Sequence, residues 1–167
     1  MSTKLHWVEG PWPGKLALAA RPRGGDWLAD EVAAWRKTGI DVVVSLLTTE
    51  EERDLDLVCE AGLAKAHGMK FMSFPIPDRE VPNSQTEMAA VLERIDAELA
   101  AGKNVVVHCR QGIGRTGLVG ACLFITKGMS PEKAMQSLSA ARGSPIPETD
   151  EQRHWIEHYA AILASSK

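Results

Sequence analysis

The chain has 167 residues, of which 44% are hydrophobic and 25% charged, the mix of a single globular domain able to bury a core. Its formal net charge is −3, so no basic excess draws it to nucleic acid or to an anionic membrane surface, and no nucleic-acid or membrane partner is expected. No apolar run reaches the ~18 residues that a membrane-spanning helix needs.

In chain order, residues 1–14 carry Trp7, Pro11, Trp12, Pro13 and Gly14 and read as an irregular lead-in that packs by its indoles. The same N-terminus lacks the apolar stretch of a signal peptide, which predicts a cytoplasmic address. A short strand at 15–20 ends in Arg21-Pro22-Arg23-Gly24-Gly25. Asp26 then caps a helix running to Lys37, with Trp27, Leu28, Val32 and Trp35 facing inward and Gly39 as its stop. The β-branched run 41–46 is a buried strand. Thr49 with Glu52 forms a capping box for a short helix, a solvated acidic start, and a further helix covers 56–67. A strand at 69–74 leads into the proline-punctuated loop 75–83. Ser84 with Glu87 opens a helix carrying Met88, Val91, Leu92, Ile95 and Leu99 at helical spacing, with Gly102 beyond it. The strand 104–108, a Gly-rich turn at 109–117, and helices over 116–127, from Ser130-Pro131 and from Thr149 complete the chain. Strands alternating with helices predict one α/β domain over 1–167, with a central, mostly parallel sheet flanked by helices.

The chemistry concentrates in VVVHCRQGIGRTG (105–117), between a buried strand and a helix. Gly112, Gly114 and Gly117 match the dinucleotide fingerprint, but the strand that should follow is missing and Glu132, at the right offset, sits at a helix start. The second pattern is His108-Cys109, five residues (Arg110, Gln111, Gly112, Ile113, Gly114), then Arg115-Thr116. A loop running from a strand into a helix N-terminus turns its amides into a nest for an anion, here a phosphoryl group. Arg115 offers a planar fork to two phosphoryl oxygens. Helix dipole, amides and guanidinium together favour Cys109 as a thiolate, with Thr116 hydrogen-bonded to the sulfur and His108 bracing the loop through backbone groups. A thiolate beneath a bound phosphate dianion points to in-line attack and a phosphocysteine intermediate. The competing reading of Cys109 is a small buried hydrophobe.

His-Cys-x5-Arg-Thr resembles the signature of the cysteine-based protein tyrosine and dual-specificity phosphatases. That resemblance implies a phosphatase fold, no cofactor or metal, a phosphoprotein substrate, and a general acid on a loop upstream of the cysteine. Asp78, 31 residues before Cys109, takes that role; its alternative is a turn-capping aspartate. The segment 146–153 is similar to the family's late segment, where glutamines position the hydrolytic water. Gln152 fits that role and equally fits a capping box with Thr149, while Glu148 stands where a glutamine is often found and would repel a phosphate if turned inward. Arg110, Arg79, Arg142 and Lys103 are candidates for a basic rim that steers dianions, Trp12 for a wall of the pocket, and Cys122 for a core thiol. His154 and His158 lie one helical turn apart without a third ligand, so no metal site is expected.

The chain is short for the larger phosphotyrosine-specific enzymes and its one tyrosine, Tyr159, falls late, so the resemblance is to compact dual-specificity phosphatases, including those acting on cyclin-dependent kinases. It implies hydrolysis of phosphotyrosine and of phosphoserine or phosphothreonine. A phosphoinositide or other small phosphomonoester is the alternative substrate, disfavoured by the single cation among the five loop residues. A phosphate-binding module without turnover is the third reading.

Overall fold

The structure, a computed structural model, describes residues 3–166. Among these residues five strands make one sheet: β1 (His6–Val8), β2 (Leu16–Ala20), β3 (Val42–Ser45), β4 (Lys70–Ser73) and β5 (Val105–Cys109), in the spatial order β1-β2-β5-β3-β4. β2, β5, β3 and β4 are parallel and β1 pairs antiparallel with β2 at the edge. The mostly parallel sheet expected from the sequence is therefore present. The three inner strands are buried along nearly their whole length, which is why they read as unbroken apolar runs.

Among the described residues seven α-helices cover the sheet: α1 (Leu28–Thr38), α2 (Thr49–Asp54), α3 (Glu60–Ala66), α4 (Gln85–Ala100), α5 (Gly114–Thr126), α6 (Pro131–Arg142) and α7 (Asp150–Ser165). One face of the sheet (Leu16, Leu18, Val44, Val105, Val107) packs on α4 to α7, with Leu92, Ile95, Leu118 and Leu138 in the contact. The other face (Ala17, Ala19, Val43, Val106) packs on α1 and α3 through Leu28, Val32, Trp35 and Ala64. Each such fully buried Val or Leu contributes about 1.5–3 kcal/mol relative to exposure. No helix among the described residues is long and apolar enough to cross a membrane.

Several local readings are corrected. The lead-in is not wholly irregular, because His6–Val8 forms β1 and completes the sheet edge. Residues 25–27 form a 3-10 turn before α1, so Asp26 does not cap that helix; Trp27 is exposed and lies under the Arg23 guanidinium at 4.5 Å instead of facing inward. The cap of α2 is Thr48, one residue earlier than expected: its hydroxyl accepts from Glu51 N and the Glu51 carboxylate accepts from Thr48 N. That shift turns Glu51, not Glu52, toward the interior. Trp12 packs on Phe124 with ring centroids 5.2 Å apart and donates to Asp96 Oδ1, so it is a core residue, and it does not line the cavity at Cys109.

Candidate active site

β5 is the central strand, and the chain leaves its carboxyl end at Cys109, turning through 110–113 into α5. Crevices at the carboxyl ends of parallel strands are where α/β sheets bind ligands. Gly112 makes the turn possible: its φ is +74°, and a Cβ there would stand 2.4 Å from the Ala19 carbonyl on β2.

The loop's carbonyls face outward. Arg110 O accepts from Arg21 N at 3.4 Å, Gln111 O from Arg142 Nη2 at 2.8 Å and Gly112 O from Arg142 Nε at 3.1 Å. A trans peptide unit points its C=O and the following N–H in opposite directions, so the amides of Gln111, Gly112 and Ile113 turn inward. Gly112 N–H accordingly donates to Cys109 Sγ at 3.3 Å. Arg142, a rim cation in the sequence reading, is thus a brace that orients the nest. Arg110 is exposed and touches Glu51 Oε2 at 3.4 Å, at the weak limit of a hydrogen bond.

Arg115, in the first turn of α5, is only 1% exposed. Glu51 takes the end of its guanidinium with Oε1 on Nη1 at 2.6 Å and Oε2 on Nη2 at 2.9 Å. Ile76 O holds Nη1 at 2.8 Å and Asp78 Oδ1 holds Nη2 at 3.0 Å. Nε carries no hydrogen bond to a described residue, so the side edge formed by Nε and Nη2 becomes a fork for a ligand once Asp78 moves off Nη2. Burial pushes Arg115 toward losing its proton, but the Glu51 hydrogen bonds and the charges of Cys109, Glu51 and Asp78 outweigh it and keep the guanidinium charged. Burial likewise pushes the Glu51 carboxyl up, and hydrogen bonds from Arg115 and Thr48, with the Arg115 charge, bring it below its ordinary value.

Glu51 is the functional residue that sequence reading missed, having been taken for part of a solvated helix start. No spacing links it to Arg115, 64 positions on. The available signal was charge balance: a buried arginine needs a buried carboxylate, and an acidic run follows β3, whose carboxyl end adjoins the loop.

Asp78, Arg79, Cys109, Gln111, Gly114, Arg115 and Glu148 line one small cavity of about 110 Å³. The structure thus brings Asp78 to Cys109 and Arg115, with its side chain half exposed at the mouth. Gln152 is fully buried beside them, but both ends of its amide are committed to backbone. Oε1 accepts from Glu148 N and Thr149 N, and Nε2 donates to Glu80 O at 3.2 Å. The capping box with Thr149 is formed, and Gln152 ties the first turn of α7 to the Asp78 loop.

Two supporting roles are corrected. Thr116 Oγ1 is buried without a hydrogen-bond partner among the described residues, so the bond on the sulfur comes from Gly112 N–H. His108 does not brace the loop through backbone groups: side chains alternate along β5, so it faces the layer opposite Cys109, where Nε2 lies 2.6 Å from Glu60 Oε2 against Trp35. Lys103 precedes the amino end of β5 and joins no rim around Cys109. Burial pushes the Cys122 thiol well up, as befits a core residue. Among the described residues no cluster of three or more His, Cys, Asp or Glu side chains is disposed to hold a metal.

A family model described as "Polymorphic toxin system, DSP-PTPase phosphatase" matches residues 17–129, from β2 to just beyond α5. Cyclin-dependent kinase inhibitor 3 of Sus scrofa is 30% identical over 113 residues, covering 66% of this chain and 50% of that protein. A putative tyrosine phosphatase (197R) of Invertebrate iridescent virus 6 is 26% identical over 161 residues, covering 94% of this chain and 56% of its own length. The chain thus spans about half the length of these curated relatives. The crystal structure of kinase associated phosphatase (KAP), with its catalytic-site cysteine substituted by serine, superposes with a TM-score of 0.89 at 22% identity, over 99% of this chain and 98% of that one. Its likeness establishes the fold, and the family match covers the Cys109–Arg115 loop and the Asp78 loop. The chain belongs to the DSP-PTPase phosphatase family.

Proposed function

We propose that the protein is a cysteine-dependent phosphatase that hydrolyses phosphotyrosine and phosphoserine or phosphothreonine in phosphoproteins. The observation that carries this reading is the convergence on one cavity of Cys109, inward-turned amides, and an Arg115 fork whose far end is locked by Glu51. A phosphoryl group seated there takes its oxygens to the amides and to the Nε–Nη2 edge of Arg115, displacing Asp78 from Nη2. Cys109 Sγ attacks phosphorus in line: the S–P bond forms, the ester P–O bond breaks, and Asp78 gives its proton to the leaving oxygen. Water then attacks the phosphocysteine, Asp78 takes its proton, and inorganic phosphate leaves with the thiolate restored. The chain's own residues supply nucleophile, clamp and acid, so no cofactor enters any step.

Matched phosphotyrosine and phosphothreonine peptides, with a soluble inositol phosphate alongside and Cys109→Ser as blank, test the reading through kcat/KM. Comparable rates on the two peptides are expected. Slow peptides with a fast inositol phosphate would move the substrate to small phosphomonoesters, and phosphate-ester binding without turnover would make this a docking module.

A further inference from the structure

We propose that Glu148 is a specificity-determining residue: its carboxylate at the pocket mouth selects against substrates bearing a second anionic group beside the scissile phosphate. The proposal rests on the phosphatase reading above and narrows it to phosphoprotein segments whose modified residue is flanked by neutral or basic side chains.

Glu148 lines the same cavity as Cys109, Arg115 and Asp78. Its Oε1 stands 2.9 Å from the place a Cβ on Gly114 would occupy, so the carboxylate is pressed over the start of α5. Its backbone is fixed by the bond from Glu148 N to Gln152 Oε1, and Gln152 in turn holds Glu80 O of the Asp78 loop. Its other oxygen, Oε2, pairs with Arg79 Nη1 at 3.2 Å. The Glu148 side chain is 28% exposed and that of Arg79 is 62% exposed, so solvent screens the guanidinium more than the carboxylate.

One dianion is welcomed at the cavity floor by Arg115 and the loop amides. A second anionic group on the same substrate meets Glu148 instead, with Arg79 already engaged. A repulsive element of this kind discriminates without adding affinity for the preferred substrate. A lone arginine at that mouth would do the opposite, which makes the pair's charge balance the feature to vary.

Two phosphopeptides identical but for Lys or Glu next to the phosphorylated residue, and an inositol trisphosphate, are compared by kcat/KM in the wild type, Glu148→Gln and Arg79→Gln. The wild type should favour the Lys peptide over the Glu peptide by about tenfold, the order that one attractive and one repulsive unit-charge pair with Glu148, both largely screened by solvent, supply together. The ratio should fall to unity or below in Glu148→Gln, where Arg79 is left without its carboxylate, with a matching relative gain on inositol trisphosphate, and should rise in Arg79→Gln. Each ratio is taken within one variant, so a loss of folded protein cancels. An unchanged ratio in Glu148→Gln overturns the assignment while leaving the phosphatase reading intact. A wild type inert on p-nitrophenyl phosphate overturns that reading and this one together.

Discussion

Replacing Glu51 should disable the site from outside the substrate's reach. In Glu51→Ala, Arg115 loses two charge-assisted hydrogen bonds, at 2.6 and 2.9 Å, while staying 1% exposed. Removing one partner of a buried pair costs about 3–5 kcal/mol. Ile76 O and Asp78 still hold the guanidinium, and Glu51 is itself slightly exposed, which places the loss near the lower end. The reciprocal half of the capping box, Thr48 N–H on the Glu51 carboxylate, is lost as well, while the Thr48 hydroxyl keeps its bond from the backbone N–H of residue 51. Together that is a large part of the ~5–15 kcal/mol that holds a domain folded. Catalysis should fall further, because a guanidinium held by Ile76, Asp78 and a long contact to Leu46 O at 3.5 Å is misaimed, and displacement of reacting groups by ~1 Å costs about 100-fold. Glu51→Gln keeps one acceptor for Nη1 but sets an amide donor against Nη2, and should fall between the two. The pair also carries a pH signature. Glu51 sits below its ordinary value of 4.5 in the folded chain, so its contribution is complete above about pH 4.5 and is lost as the pH falls through the depressed value. Urea midpoints at neutral pH and across the acid range, with kcat/KM on p-nitrophenyl phosphate, measure each effect. An Ala variant with an unshifted midpoint and a rate within about twofold of wild type would refute the reasoning.

Asp78→Ala should slow poor leaving groups far more than good ones and flatten the basic limb of the pH–rate profile, read by comparing alkyl and nitrophenyl phosphates; an unaltered profile would put the acid elsewhere. Arg142→Gln should free the carbonyls of Gln111 and Gly112, weakening phosphate binding through the loosened nest by about tenfold; vanadate or phosphate inhibition constants measure it, and unaltered constants would remove the bracing role.

The Cys109–Arg115 loop was legible in the sequence because all its parts are local: a β-branched strand, the cysteine, the glycine that allows the turn and the arginine in the first helical turn. The helix starts at Ser84, Ser130 and Thr149 were legible for the same reason, each hydroxyl accepting from an amide three residues on. β1 was hidden because its three residues lie among Trp, Pro and Gly and gain their pairing only from β2. Trp27 was misplaced because periodicity treats an indole as a core residue, whereas Arg23 gives it a partner at the surface. His108 was misread as a brace of the loop, although alternation along β5 puts its imidazole in the layer opposite Cys109, on Glu60. Glu51 and Glu148 were the hardest to place, since their roles depend on Arg115 and Arg79 on other segments. A charge pattern along the chain shows a carboxylate, and only the fold shows which cation it meets.

The central claim is that Cys109 becomes phosphorylated during turnover. Rapid acid quench of the wild type with p-nitrophenyl phosphate, followed by peptide mass analysis, measures it directly. The account predicts the mass of one phosphoryl group on the peptide bearing Cys109, absent from Cys109→Ser, with release of inorganic phosphate abolished in that variant. Phosphate release by Cys109→Ser at a rate near wild type, or a phosphoryl group trapped on another residue, would contradict it.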